Sequence, residues 1–283
     1  MTEIDVRALL DAPHWRDDAA LQSILGSLLR RRPMELPESP PDPAEIWPAS
    51  SFGLDRVTEF IDASDERKRA ILRRCAADRL AEALYVEKLG LAFCAKMTLL
   101  AETTEERMLY AMTASDEATH YYWISRFTEG EPKPSPFLEL IGSWIEREGR
   151  AALTLLVQVV LEGWGVQHYR LLGRDCRDPR LAAVLREIVT DEARHHGSGT
   201  RLFAQHAPDD AERDEIVHAL AELLDMVRCG PQAIVAALAP VDRMRCLDEL
   251  QAADDAQRKL DLLRDLIDDP AIVAQLDFTC SIS

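Results

Sequence analysis

The sequence predicts an all-α protein, and three observations support that class. Prolines are absent from residues 49–131, 137–178 and 180–207, and these long stretches are rich in the helix formers Ala, Leu, Glu and Arg. β-Branched residues cluster only in short patches such as LVQVVL at 156–161, inside a segment without turn signals. The 12 glycines among 283 residues also leave few positions for the tight turns of a sheet-rich protein.

Four long helices follow from the positions of the residues that stop a helix. They are expected at about 64–101, 104–127, 136–172 and 179–206. Thr103 or Thr104 can cap the second helix, and Glu106 is placed to close a capping box on Thr103. A loop with three prolines (EGEPKPSP) separates the second helix from the third, and GRDCRDP separates the third from the fourth.

The same stops divide the chain into three predicted parts: 1–49, 50–207 and 208–283. Six prolines between Pro33 and Pro48 exclude a helix, so this stretch of the N-terminal arm is expected to lie extended over the surface. The middle part holds the four long helices. The last part has amphipathic helices, interrupted at Gly230-Pro231 and Ala239-Pro240, which are expected to pack on the helical body.

Composition excludes several classes of function. The chain has 33 Lys+Arg against 50 Asp+Glu, a net charge of −17, which argues against a nucleic-acid partner because phosphate contacts need basic clusters. No apolar run approaches the ~18–20 residues of a membrane span, and the first 20 residues lack the apolar stretch of a secretory signal. Six scattered cysteines without a CxxC pair indicate free thiols and a cytoplasmic protein.

A repeated motif carries the chemistry. Residues 116–120 and 191–195 both read DEAxH, and the two copies are 75 residues apart. Glu87 lies 30 residues before Glu117, and Glu162 lies 30 residues before Glu192. Four acids and two histidines therefore repeat as E-x29-E-x-x-H, and the histidines of the two copies are His120 and His195.

Helix geometry brings these six side chains together. Glu and His at positions i and i+3 share one face of a helix. The first connection falls near residue 102, with Glu87 15 residues before it and Glu117 15 residues after it. On antiparallel helices both acids then lie about 22 Å from the turn, at ~1.5 Å per residue. Glu162 lies 15 residues before the turn near residue 177, and Glu192 lies 15 residues after it. We therefore expect all six side chains to meet at one level.

Four buried carboxylates without a counter-charge would be prohibitively costly. Two divalent metal ions would bring four positive charges to the site. Carboxylate and imidazole ligands suit iron or manganese, and the absence of converging thiolates disfavours an iron–sulfur cluster. A tetrahedral structural zinc would not need six ligands.

The constellation resembles that of the ferritin-like di-iron-carboxylate oxygenases and oxidases, over about residues 70–205. The resemblance implies a ferritin-like four-helix bundle with additional N- and C-terminal helices. It implies two iron ions, or a Mn/Fe pair. One metal would be held by Glu87, Glu117 and His120, and the other by Glu162, Glu192 and His195, with Glu117 and Glu192 as bridges. In the oxygenase branch the preceding aspartates orient the histidines across the bundle, so Asp116 would hold His195 and Asp191 would hold His120.

Some residues have rival interpretations. Glu82 competes with Glu87, but its equivalent in the repeat is Val157, which has no ligating atom. His196 competes with His195, but its equivalent is Tyr121, so the repeat favours His195. A third DExxH, ending at His218, begins a helix and has no glutamate 30 residues upstream, so its acids are expected to face solvent near the helix N-terminus. Gly163 and Gly165 beside Glu162 could make room for substrate, relax the helix into a π-bulge, or allow close helix packing.

The resemblance implies an enzyme that uses O2 to oxidise a small, largely apolar substrate, by hydroxylation, N-oxygenation, desaturation or oxidative cleavage. An electron donor such as a ferredoxin or reductase would be a partner. Ile124 stands where ribonucleotide reductase small subunits carry a radical tyrosine, which argues against that role. Ile188 stands where arylamine N-oxygenases carry a third histidine, which argues against membership of that group. The alternatives are an iron-storage or ferroxidase protein and a metal-free helical interaction protein. The C-terminal helices would either cover a pocket or form the interface of a homodimer.

Overall fold

The computed structural model describes residues 32–129, 134–205 and 208–267. Within these ranges the protein is helical and contains no β-strand, so the predicted all-α class is confirmed. None of the helices in these ranges is long and apolar enough to cross a membrane. Most of the predicted N-terminal arm and the last 16 residues lie outside the described ranges.

Helices account for most of the described chain, with three short 3₁₀ turns between Pro43 and Arg56 preceding them. The α-helices are α1 (Thr58–Ile61), α2 (Asp65–Leu100), α3 (Thr104–Ser125), α4 (Pro136–Arg147), α5 (Arg150–Leu153), α6 (Glu162–Asp175), α7 (Pro179–Ala204), α8 (Asp210–Arg228), α9 (Gln232–Leu238), α10 (Arg243–Glu249) and α11 (Ala252–Ile267). A π-helical segment, Thr154–Leu161, joins α5 to α6. Helix α2 packs along α3, and α6 packs along α7; α3 contacts α7, so the two hairpins meet.

Both helices of the first hairpin begin at side-chain caps. The Ser64 hydroxyl accepts a hydrogen bond from the Arg67 N–H at 3.3 Å, and the Thr103 hydroxyl accepts one from the Glu106 N–H at 3.1 Å. Thr103 is therefore the N-cap of α3. The Glu106 carboxylate accepts from the backbone N–H of Glu102 at 3.0 Å, one residue before the position that a capping box on Thr103 requires.

The prediction of one unbroken helix over 136–172 is wrong. Helix α4 ends at Arg147, and Glu148 and Gly149 adopt extended conformations before the chain turns into α5. The Lys96 ammonium on α2 donates to the carbonyls of Ile145, Glu146 and Glu148 at 2.8, 3.0 and 2.8 Å. These carbonyls would otherwise lack partners at the helix end, so a residue about 50 positions away stabilises the break.

The π-helical segment lies directly before Glu162 and is almost wholly buried. The His196 Nδ1–H on α7 donates to the carbonyl of Val159 at 3.0 Å, which satisfies a backbone group of the widened turn. Close packing explains Gly163, because a Cβ there would lie 2.6 Å from Leu266 and 3.0 Å from His196. A Cβ at Gly165 would meet nothing within 4 Å.

The sequence predicted that the proline-rich segment lies over the surface, and this prediction is wrong for part of it. Ile46 and Trp47 are each 1 % exposed and pack into the same core as α2, α6 and α7. The Trp47 indole N–H donates to the carbonyl of Leu172 at 3.0 Å, and Arg79 stacks over the Trp47 ring. The segment thereby anchors to both hairpins.

The C-terminal helices pack on the helical body. Leu263 and Ile267 of α11 belong to a core shared with the π-helical segment. Breaks occur at the predicted positions, where Gly230 has a φ of 72° and Pro240 follows α9. A further break separates α10 from α11, where Gln251 adopts a left-handed φ of 55°.

Two glycines of α7 provide a matched test of helix packing. A Cβ at Gly199 would lie 2.4 Å from the Gln158 Cβ and 3.2 Å from its backbone carbon, whereas a Cβ at Gly197 would meet nothing within 4 Å. We expect Gly197→Ala to raise the free energy of unfolding by up to ~1 kcal/mol. We expect Gly199→Ala to lower it by about 1–3 kcal/mol, because backbone cannot move aside cheaply.

Urea unfolding of the two alanine variants measures both effects. Equal stability of the two variants would show that α7 does not approach the π-helical segment as closely as described.

Candidate metal centre

Six side chains predicted from the repeat lie buried between the two hairpins. They come from α2, α3, α6 and α7, and each is between 0 and 8 % exposed. They are Glu87, Glu117, His120, Glu162, Glu192 and His195. Four acids and two histidines at this depth need compensating positive charge.

The six residues form two overlapping clusters. Glu87 and His120 belong to one cluster, and Glu162 and His195 belong to the other. Glu117 and Glu192 belong to both. Within each cluster the ligand atoms lie within 4.8 Å of one another, so two cations bound side by side could share the two common carboxylates.

Local structure makes room for the acids. Glu117 and His120 are three residues apart on α3 and share its inward face, as do Glu192 and His195 on α7. Gly90 on α2 faces Glu117, and a Cβ at that position would lie 2.5 Å from the Glu117 Oε2. A glycine at residue 90 is therefore required for the Glu117 carboxylate to occupy its position.

His120 is held from both sides of its ring. Its Nε2 lies 2.9 Å from Asp191 Oδ2, and its Nδ1 lies 3.1 Å from Glu87 Oε2. Asp191 is fully buried. Since Nε2–H donates to Asp191, the Nδ1 atom is the one that faces the carboxylates, and it is available to a metal once it loses its proton.

His195 has the same arrangement on the opposite hairpin. Its Nε2 lies 3.4 Å from Asp116 Oδ2, and its Nδ1 lies 3.2 Å from Glu117 Oε1. Each aspartate thus reaches the histidine of the other motif, across the interface between α3 and α7. These contacts fix the orientation of both imidazole rings.

Burial and neighbouring charge shift the pKa values of the cluster. Burial, followed by repulsion from Glu192, raises the pKa of Glu117 to about 8, and the same two causes raise the pKa of Glu162. Burial alone would lower the pKa of His120, but its hydrogen bonds to Asp191 and Glu87 outweigh that effect and raise it. The metal-free site therefore holds protons where a metal-bound site would hold cations.

The residues fit a divalent metal. His195 Nδ1 and Glu162 Oε2 lie 3.3 Å apart, and neither atom has a hydrogen-bond partner among the described residues. A cation coordinated by both atoms would satisfy them. Neither cluster found in the described ranges includes a cysteine, and oxygen with imidazole nitrogen is a ligand set that suits iron and manganese.

Three contacting residues were missed by the sequence analysis. The Tyr169 hydroxyl donates to Glu87 Oε1, and Tyr169 is buried. Tyr169 follows Glu162 by seven residues, two helical turns, and this spacing on one helix face was a detectable signal. Arg194 and Arg32 make ion pairs with the aspartates that hold the histidines. Arg32 is distant in sequence from both motifs, so no local pattern could have found it.

The rival residues lie elsewhere. Glu82 is exposed to solvent, and His196 is occupied with the carbonyl of Val159. His218, from the third DExxH, has a side chain 73 % exposed. The structure brings none of the three into either cluster.

The arrangement can bind one or two divalent cations through oxygen and nitrogen ligands in a site from which water is largely excluded. Comparison with protein-family models and with curated proteins finds no match to this chain.

The pKa shifts predict how the stability of the metal-free protein depends on pH. Glu117, Glu162 and His120 all have pKa values raised in the folded state, so the folded chain binds more protons than the unfolded chain. Their contribution to stability is fully present below the unfolded-state pKa values and is lost as pH rises through the folded pKa values. The lowered pKa values of Asp191 and Glu192 act in the opposite sense, but only in the acidic range below pH 6. We expect the melting temperature of metal-free protein to fall between pH 6 and pH 9, judged by scanning calorimetry.

Glu117→Gln provides the control, since glutamine keeps the shape of the side chain without titrating. Its melting temperature should fall less over the same range, because one of the raised groups is gone. A variant with the same pH dependence as the parent protein would contradict the assigned pKa of Glu117.

Proposed function

We propose that this protein is a non-haem di-iron oxygenase or oxidase with a ferritin-like helical bundle, which uses O2 to oxidise a small substrate. The observation that carries the proposal is the pair of buried clusters that share Glu117 and Glu192. A single-metal site would not need two such clusters, and a solvated acidic surface would not be buried. A Mn/Fe pair would use the same ligands.

Each metal would have its own histidine and its own terminal carboxylate. Glu87, Glu117 and His120 would hold one ion, and Glu162, Glu192 and His195 would hold the other, with Glu117 and Glu192 bridging. When bound, a pair of ferrous ions supplies the electrons for reducing O2 and the oxidising power to attack a C–H bond or an amine.

The chain's own residues prepare this site. Asp191 and Asp116 hold the Nε2–H of His120 and His195, which fixes the tautomer in which Nδ1 faces the carboxylates and would be the atom that binds metal. The Tyr169 hydroxyl donates to one oxygen of Glu87 and leaves the other oxygen, 3.1 Å from His120 Nδ1, free to bind metal. Burial of the cluster keeps bulk water from the reacting groups.

The proposed substrate is small and largely apolar, as the resemblance to the ferritin-like di-iron-carboxylate oxygenases implies. The proposed reactions are hydroxylation, N-oxygenation, desaturation or oxidative cleavage. Reduction of one O2 to water takes four electrons. If the substrate supplies only two of them, the other two must come from an external donor, and a ferredoxin or a reductase is the proposed partner.

Iron binding is the first test. Anaerobic titration with Fe(II) should give about two ions per chain, because the clusters provide two sets of ligands. His120→Ala and His195→Ala should each lower this number, since each removes the imidazole ligand of one ion. His218→Ala, the matched control on an exposed DExxH, should leave it unchanged.

Uptake of less than one ion per chain by the parent protein would rule out the di-iron site and favour a metal-free interaction protein. Equal uptake by the His218→Ala and His195→Ala variants would place the metal elsewhere.

Reaction with O2 separates an oxygenase from a ferroxidase. The Fe(II)-loaded protein exposed to O2 should give a transient absorption band, and the decay of that band should accelerate when a true substrate is added, with product detected by mass spectrometry. Mineralised iron in excess of two ions per chain, together with a cage-sized particle in size analysis, would instead show an iron-storage protein.

A further inference from the structure

Arg32 lies between the two aspartates that hold the histidines. Its Nη1 is 2.6 Å from Asp191 Oδ2 and 3.0 Å from Asp116 Oδ1. One guanidinium nitrogen therefore bridges a carboxylate of α7 and a carboxylate of α3. The same guanidinium lies 5.2 Å from the centre of the Trp123 ring, and that ring lies 5.9 Å from the His120 ring, tilted by 36°.

The two motifs differ at the position that could supply this charge. Arg194 in the second motif pairs with Asp191, and its Nη2 lies 3.5 Å from Asp116 Oδ2. The equivalent residue in the first motif, 75 positions earlier, is Thr119. Thr119 carries no charge, and its hydroxyl donates to the carbonyl of Ser115 on its own helix.

The two aspartates place two negative charges around one guanidinium nitrogen. The carboxylates share the Arg32 nitrogen, so without it they would repel each other at short range. Asp191 is fully buried, where an uncompensated charge is most costly. Arg194 supplies one positive charge from within the repeat, and Arg32 supplies the second from outside it.

We propose that Arg32 is a positioning residue of the metal centre: it clamps Asp116 and Asp191 together so that each holds the Nε2–H of a metal-binding histidine. This inference rests on the proposed function. Arg32 takes the place of the cation that the first motif lacks at Thr119. The segment that precedes the helical body therefore completes a site built by α3 and α7.

A second arginine secures the same segment without touching the aspartates. The Arg126 Nη2 donates to the carbonyls of Pro37 and Glu38 at 3.4 and 3.3 Å. Arg126→Gln thus loosens the docking of the segment but leaves both carboxylates with their partners, which makes it the matched control for Arg32→Gln.

The test is an anaerobic titration of the full chain with Co(II). Calorimetry measures the affinity, and visible absorption reports the Co(II) bands. Arg32→Gln should lower the apparent affinity by about tenfold, the lower end of what loss of a partner to a ligand causes, and should shift the Co(II) absorption bands. Arg32→Lys, which keeps a charge between the carboxylates, should recover most of the affinity. Arg126→Gln should bind as the parent does.

Circular dichroism of the metal-free variants establishes that each is folded. Unchanged affinity and bands in Arg32→Gln, while the parent protein binds two ions, would overturn the role of Arg32 and leave the di-metal site intact. An equal loss in Arg126→Gln would also overturn it, since docking of the segment alone would then explain the effect. Failure of the parent to bind Co(II) would remove both the proposed function and this role.

Discussion

The burial of four carboxylates among the helices is the constraint on which the rest of the structure depends. Glu87, Glu117, Glu162 and Glu192 lie almost without solvent contact, where an ionised group is stable only beside opposite charge or bound metal. Several nearby residues accommodate the buried carboxylates. Gly90 leaves room for Glu117, and two aspartates hold the histidines. Burial and the charge of Glu192 raise the pKa of Glu117 to about 8, so a proton neutralises this carboxyl group at neutral pH when metal is absent.

The π-helical segment before Glu162 lies next to the buried carboxylates and helps to position α6. A π turn carries an extra residue and is costly in isolation, which is why such turns concentrate at functional sites. Here its carbonyl at Val159 is satisfied by His196, and Gly199 lets α7 approach Gln158. The widened turn ends at Glu162, the residue that α6 contributes to the buried clusters, and it is supported by the helix that carries the second DEAxH motif.

Much of the site follows from spacing, and the remainder depends on contacts between distant parts of the chain. The repeat with an offset of 75 residues brings six side chains to one level, since helix rise converts equal spacing into equal height. The break after α4 could not be predicted, because the stabilising group is Lys96 on another helix. Burial of Trp47 could not be predicted either, since proline content describes backbone conformation and not packing. The role of Arg32 could not be predicted because its partners lie 84 and 159 residues away in the sequence.

The most direct test of the central claim is a crystal structure of the iron-loaded protein with anomalous diffraction data at the iron edge. We expect two anomalous peaks roughly 3.5–4 Å apart, with the carboxylates of Glu117 and Glu192 between them and one histidine nitrogen on each. A single peak, peaks away from the two clusters, or density for water alone among the four carboxylates would contradict it.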